Sequence, residues 1–508
     1  MHAFPVSSAL TSFGQRRHLA IWLTTALITL GQPVVAQQLA FPGAEGAGRF
    51  TTGGRGTSAT PTTVFEVTNL NDDTNPGSFR YAVSQKSDAA HRTVVFRVSG
   101  TIHLNSPLTI SKSNTTIAGQ TAPGDGICLA DYPVSVHANN VVVRFIRFRM
   151  GDKNQNKGMI DGAGGDDAFG GTRNNRLIID HCTMSWSTDE TFSVYEGDST
   201  TLQWNLMSEP LNYSYHFEEG DKDFEHHGFG GIWGGQHSSM HHNLFAHCNN
   251  RTPRWNGSRY THPAGFENCD FRNNVIYDWG QNNVYAGEGG NYNMVNNYYK
   301  YGPSTNEKVK AQILNPYKLT TGKNPLPYGK FYLTGNYVDG SPAVSRRNWS
   351  GVVMNAGTPA DTALSKVDKP FDLGPVTTQS APEAYEAVLQ SVGASLPKRD
   401  AVDQRIISDV RNRTGGLIDV QGGFPHGTPY SESQKAWPVL SSKPAPTDTD
   451  HDGMPDAWET AHKLNPKDAA DRSKLGSDGY TMLEAYLNSL ATPSGVATKS
   501  QPATKRRG

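Results

Sequence analysis

Residues 238–302 read SSMHHNLFAHCNNRTPRWNGSRYTHPAGFENCDFRNNVIYDWGQNNVYAGEGGNYNMVNNYYKYG. Within this stretch Asn243, Asn274 and Asn297 each follow a short apolar or aromatic run at about the same place. The pattern extends outward in both directions, to Asn205 and to Asn336. The separations along this series are 38, 31, 23 and 39 residues. They equal one repeat of roughly 22–25 residues plus loops of variable length. A buried amide must be satisfied, and an Asn stacked on its counterparts above and below is satisfied by a ladder. That arrangement belongs to a solenoid, in which each rung pairs with its neighbours and insertions emerge on one face as a binding groove.

The rest of the chain carries the same punctuation. TVFEVTNL, TVVFRVSG, TIHL, VVVRFIRFR, RLIIDHCTMSW, TLQWNLMSE and KFYLTGNYVDG are short and β-branched or aromatic, and most run into Gly, Asn, Asp or Ser. A β-sandwich also produces short runs, but it does not explain the recurring Asn. The fold expected is all-β, a right-handed single-stranded parallel β-helix with a small C-terminal calcium-loop module. The insertion between Glu209 and Trp233, PLNYSYHFEEGDKDFEHHGFGGI, is aromatic, histidine-bearing and hinged by glycine. It should overhang the groove.

Five segments are expected. Residues 1–36 place Arg16, Arg17 and His18 before the apolar run LAIWLTTALITLG and the small-residue site Val34-Val35-Ala36. That is a signal-peptide layout with cleavage after Ala36, and the run is shorter than the roughly 20 residues a membrane span needs. Residues 37–430 form the β-helix, closed by helical pieces at PEAYEAVLQSVGASL and DAVDQRIISDVRN. Residues 431–447, rich in Pro and Ser, read as a linker, 448–490 as the small module, and 491–508 as a disordered tail. No later stretch is long and apolar enough to span a membrane, so a secreted, extracellular or periplasmic, monomer is expected.

Composition narrows the partners. The formal net charge is −1, with Lys+Arg 46 against Asp+Glu 47. Without a basic stripe, nucleic acid is not an expected partner. The four cysteines, Cys128, Cys182, Cys248 and Cys269, have no zinc spacing. Export permits disulfides, four cysteines allow three pairings, and buried free thiols are an equal alternative.

Two places concentrate charge. DTDHDGMPDAWE sets Asp448, Asp450 and Asp452 two apart, then Gly453, Asp456 at the ninth position and Glu459 at the twelfth. This fits the twelve-residue calcium-loop template, although KPAPT cannot supply the helix that precedes it in a complete helix–loop–helix unit. The other place lies between Gly164 and Arg254. Asp166 and Asp167 share a glycine-rich turn, Asp189 and Glu190 follow SWST, and Arg251 and Arg254 flank Pro253. Rungs about 4.8 Å apart would let Asp167 and Asp189 share a hard cation, for which oxygen ligands favour Ca²⁺ over Zn²⁺. Carboxylates and arginines in one groove suit an acidic polysaccharide. Removing a proton α to a uronate carboxylate builds negative charge there, which a cation and a guanidinium would stabilise.

AFPGAEGAGRFTTGGRG, VFEVTNLND, PGSFRYAV, VVFRVSGTI, TIAGQTAPGDGI, DHCTMSWSTDE, HHNLFAH and RTPR together resemble the family 1 polysaccharide lyases of the pectate lyase superfamily, in particular their bacterial branch. The resemblance covers roughly residues 40–340. It implies calcium-dependent β-elimination of polygalacturonate or a related acidic plant polysaccharide, giving 4,5-unsaturated oligogalacturonides. Arg251 matches the family's catalytic arginine, and Arg254 a substrate-binding one. Asp167 and Asp189 match its calcium carboxylates, with Asp166 and Glu190 as additions. Two positions depart from the pattern, with Ser193 where many members carry a further ligand Asp and Asn256 where many carry a further Arg. His181 and His242 are expected to support the rungs or the groove wall, His242 also as a substrate contact. The competing readings are a pectin lyase, a polygalacturonase-type β-helical glycoside hydrolase and a non-enzymatic solenoid that binds acidic polysaccharide.

Overall fold

In the computed structural model, which describes residues 37–84, 89–260, 262–354 and 356–491, short strands wind into three parallel sheets of ten, nine and eight strands. Successive turns of one chain supply one strand to each sheet, the arrangement of a right-handed parallel β-helix. One rung shows the pattern: Asn175–Asp180 in the ten-stranded sheet, Thr183–Ser185 in the nine-stranded and Phe192–Tyr195 in the eight-stranded. Every pairing is parallel and in register, as where Leu177 lies between Val141 and Thr200. Strands buried on both faces need continuous β-branched runs, and Val141–Arg144 (VVVR) and the IID of Asn175–Asp180 are such runs.

The inside is filled by stacked rows. Phe148, Phe169, Phe192 and Trp233 follow one another at centroid distances of 4.2, 5.6 and 5.9 Å. The asparagine ladder forms at the corner between the ten- and nine-stranded sheets. Asn205, Asn243, Asn274 and Asn297 are fully buried, and each Oδ1 accepts the backbone N–H of the residue one rung earlier, at 2.9–3.0 Å. Their Nδ2 groups donate to core-strand carbonyls of Ile179, Leu202, Met240 and Phe271. Asn336 continues the series and Asn348 ends it, donating back to the Asn336 carbonyl. All four cysteines are buried free thiols on separate strands or turns.

Two helices cover the nine-stranded sheet, at Ala381–Ser391 and Ala401–Asn412, where helical pieces were expected. Val388, Leu389, Ile406 and Val410 pack on Leu206, Leu244 and Val275. Asp400 and Asp403 of the second helix receive buried Arg149, at 2.5 and 2.7 Å. The segment 431–447 is not a free linker. Trp437 is buried edge-on against Trp186, 5.0 Å between centroids, and Ser442 pairs with Gly124. Its Pro and Ser content suggested a spacer, but one indole and Leu440 are enough to strap it down. The module that follows also packs on the β-helix, with Met454, Leu483, Tyr486 and Leu487 against Val95 and Ala118. The signal-peptide segment and the tail from 492 lie outside the described residues. Among the described residues no helix is long and apolar enough to cross a membrane.

Candidate active site

The turns that lead from the nine-stranded into the eight-stranded sheet stack rung on rung, and they carry the charged groups. Asp167 stands two residues before the strand Phe169–Thr172, and Glu190 two before Phe192–Tyr195. One step on, Phe229 bridges in parallel to Glu190 on one side and to Asn250 on the other. Arg251 follows directly. Residues 84 positions apart in sequence thus share one edge because the rung repeats.

Asp167, Asp189 and Glu190 bring carboxylate oxygens within 4.8 Å of one another. The Asp167 Oδ1 accepts the Glu190 backbone N–H (3.1 Å), which fixes the relative position of the two steps. Burial and the adjacent Asp189 charge push the Asp167 carboxyl well above the usual range. Glu190 is buried and its Oε1 has no hydrogen-bond donor, although Arg251 Nη1 lies against it as an ion pair. An all-oxygen set under mutual repulsion fits a hard divalent cation. Asp166 falls outside the cluster, because its Oδ2 accepts the Gln155 amide at 3.0 Å. Ser193 sits next to Gly170 in register, and its Oγ accepts the Ile232 N–H.

Arg251 is held on three sides. Its guanidinium lies 4.4 Å from the Phe229 ring centroid, its Nε donates to the Tyr285 hydroxyl (3.3 Å), and Nη1 is 4.0 Å from Asp189. The residue takes a left-handed backbone (φ 57°), which turns the side chain out of the strand direction toward the cluster. Arg254, beside Tyr285 in the eight-stranded sheet, pairs with Glu288 at 3.2 Å. Asn256 is buried, but Arg259 folds back onto it, donating from Nε to its carbonyl (2.6 Å) and from Nη2 to its Oδ1 (3.0 Å). Burial and then the nearby Arg254 charge push Arg259 below the ordinary arginine range. Arg259 thus stands against Asn256, near enough to Arg254 to feel its charge.

The long insertion does reach the site, through residues that sequence reading left unassigned. His227 Nε2 is 2.6 Å from Asp189 Oδ1, and its Nδ1 is 3.0 Å from Glu225. Burial opposes its charged form, but the two carboxylates hold its pKa up to about 9. His216 stacks on it at 3.9 Å. The signal was the pair His226-His227 in a glycine-hinged loop, which gives no partner until the loop folds over Asp189.

His242 is not a substrate contact. It lies at the opposite corner, where Phe145, His181, Trp204 and His242 stack in left-handed turn positions at 4.9, 5.7 and 4.3 Å. It is 2% exposed and spends its Nε2 on Gln379, so it belongs to the scaffold. In the C-terminal loop Asp448, Asp450 and Asp452 cluster as expected, and Glu459 joins Asp452. Asp456 does not. Both its oxygens accept from Thr449, at 2.7 Å each, at the exposed start of the helix Asp456–Ala461.

No protein-family model matches the chain. It is 36% identical over 489 residues to a probable pectate lyase C of Aspergillus fumigatus, spanning 92% of this chain and 97% of that protein. It is 34% identical over 483 residues to a probable pectate lyase C of Aspergillus terreus, spanning 91% and 96%. These relatives are fungal and lend no support to a bacterial branch. Identity at this level along nearly the whole of both chains decides the family: the chain belongs to the pectate lyase family.

Proposed function

We propose that the protein is an exported family 1 polysaccharide lyase that cleaves (1→4)-α-D-galacturonan by β-elimination. The observation that carries this reading is the contact of Arg251 with a three-carboxylate cluster on one edge of the β-helix. Asp167, Asp189 and Glu190 would hold Ca²⁺, which supplies charge neutralisation for the substrate carboxylate. Arg254 and Arg259 present guanidinium groups for uronate carboxylates along the same face. Arg251 takes the C5 proton. The C5–H electron pair becomes the C4=C5 double bond, the C4–O bond breaks, and the departing oxygen leaves as a sugar hydroxyl once protonated. The group that accepts the proton is the neutral guanidine of Arg251, which must first give up a proton to solvent and is scarce because arginine's pKa lies above about 12. The step therefore depends on acidifying C5–H and on the fixed approach that Phe229 and Tyr285 give Arg251.

The spacing of the carboxylates disfavours an inverting hydrolase. Their oxygens lie within 4.8 Å of one another, tighter than the about 6.5–9.5 Å that separates acid from base there, and a retaining hydrolase is told apart by its saturated product. A methylated substrate would offer the arginines and a cation at the cluster no carboxylate to bind. Polygalacturonate with Ca²⁺ is expected to give a near-ultraviolet-absorbing unsaturated product, with methylated pectin and chelated enzyme at least tenfold slower. Faster turnover of methylated pectin without metal, or reducing ends with no absorbance, would refute the reading.

A further inference from the structure

Away from the groove, the C-terminal module gathers four carboxylates that leave six oxygens without a hydrogen bond. Both oxygens of Asp450, both of Glu459, Asp452 Oδ2 and Asp471 Oδ1 are buried without a hydrogen bond. Glu459 and Asp471 are fully buried and Asp452 is 1% exposed. Ligand atoms of Asp448, Asp450 and Asp452 lie within 4.8 Å of one another, as do those of Asp452, Glu459 and Asp471. The oxygens on the other side of these groups are tied to backbone. Asp452 Oδ1 accepts the Met454 N–H and Asp471 Oδ2 the Asn465 N–H, both at 2.9 Å. Each of these two carboxylates is therefore held by one oxygen and aims the other at a shared centre.

Cationic partners among the described residues are few. Lys474 pairs at 3.6 Å with the backbone-bonded oxygen of Asp471 and is largely exposed, and Arg97 is shared between Asp448, at 3.7 Å, and Glu66, at 3.3 Å. Leaving such groups buried, charged and unpaired is among the costliest arrangements a fold can hold.

We propose that Asp450, Asp452, Glu459 and Asp471 form a second divalent-cation site, suited to Ca²⁺, which clamps two separate loops of the C-terminal module to each other and so to the β-helix. Four carboxylates, joined through Asp452, which belongs to both trios, supply an all-oxygen shell of the kind Ca²⁺ takes, and the absence of nitrogen or sulfur ligands in this set disfavours transition metals. The ligand set departs from the twelve-residue template. Asp456, at the ninth position, spends both oxygens on Thr449, and Asp471 from the turn Asp471–Ser473 takes its place. Asp448 serves as the turn anchor, accepting the Asp452 and Gly453 N–H groups. Because Asp471 lies beyond the helix Asp456–Ala461, the ion ties the loop 448–459 to the next turn. From there Arg472 donates to the Thr62 carbonyl of the β-helix.

The test uses the full-length chain carrying Asp167→Asn and Asp189→Asn, so that the groove contributes no ion. Ca²⁺ is expected to raise its unfolding midpoint by several degrees and to protect residues 448–490 from proteolysis. Tb³⁺ should give luminescence sensitised by Trp458, which neighbours Glu459. Adding Glu459→Gln and Asp471→Asn should remove one bound Ca²⁺ per chain and abolish all three responses, whereas adding Asp456→Asn should leave the stoichiometry unchanged. In the otherwise wild-type chain, Glu459→Gln with Asp471→Asn should keep lyase turnover at saturating Ca²⁺ within about twofold. No Ca²⁺ response in the groove-silenced chain would overturn the proposal. So would loss of the ion on Asp456→Asn with retention on Asp471→Asn.

Discussion

Arg251 has little freedom: Phe229 lies under the guanidinium, Tyr285 accepts from Nε, and Glu190 and Asp189 face Nη1. Substituting lysine keeps the charge but loses the planar fork that these contacts position. Arg251→Lys is expected to lower kcat at least 100-fold with little change in the unfolding midpoint, checked by initial rates and circular dichroism. His227 is a positioning residue acting through Asp189, a contact of 2.6 Å. Groups that orient metal ligands are worth about 10–100-fold in metal affinity. His227→Asn should therefore raise the Ca²⁺ concentration for half-maximal activity about tenfold while largely sparing kcat at saturation. An equal fall of kcat at all Ca²⁺ levels would instead put His227 in the chemistry. Asp189 was legible from the sequence because the rung repeat sets it beside Asp167, and Arg251 because RTPR resembles the family's motif. His227, Arg259 and Asp471 were not, because each reaches its partner through a loop or turn whose path no period governs.

At the scale of the element, the ladder is the feature the sequence announced most clearly. Five asparagines at rung spacing after apolar runs already imply stacking, and the observed bonds follow that order. Its sixth member, Asn348, was not legible, since it follows a helix at Pro342–Arg346 and not a strand. Asn274→Leu would strip partners from the Asn243 N–H and Nδ2 and from the Met240 carbonyl. A loss of about 3 kcal/mol or more is expected, read as a lower denaturation midpoint. His247 joins the nine-stranded sheet to the covering helix, 2.7 Å from Asp278 and 3.8 Å from Asp409. Burial opposes its charge, yet the carboxylates hold its pKa up to about 9. The folded pKa lies above the unfolded value near 6.5, so this stabilisation is complete below that value and is lost as pH rises through 9. Its loss is on the order of 2–3 kcal/mol. Chemical denaturation at pH 6.5 and 9.5 should show the drop in the wild type and a flatter profile in His247→Gln.

For the whole molecule, the β-helix acts as a rigid spine on which later segments are fastened by a few anchors. Arg149 with Asp400 and Asp403, Trp437 on Trp186, and Met454 with Leu483 on Val95 hold the helices, the strap and the module. Composition hid the strap, since Pro and Ser outnumber the residues that bury. Arg149→Met removes a buried charge from two carboxylates and is expected to cost about 3–5 kcal/mol. The spine's regularity is what carries Asp167, Asp189, Glu190 and Arg251 to one edge, and the lyase assignment rests on that edge. Its most direct test is the rate of near-ultraviolet absorbance gain on polygalacturonate with Ca²⁺, for wild type and Arg251→Ala. The account predicts steady formation of unsaturated product by the wild type, stopped by chelator, and a loss of at least 1,000-fold in a correctly folded Arg251→Ala. Undiminished turnover by Arg251→Ala would contradict it.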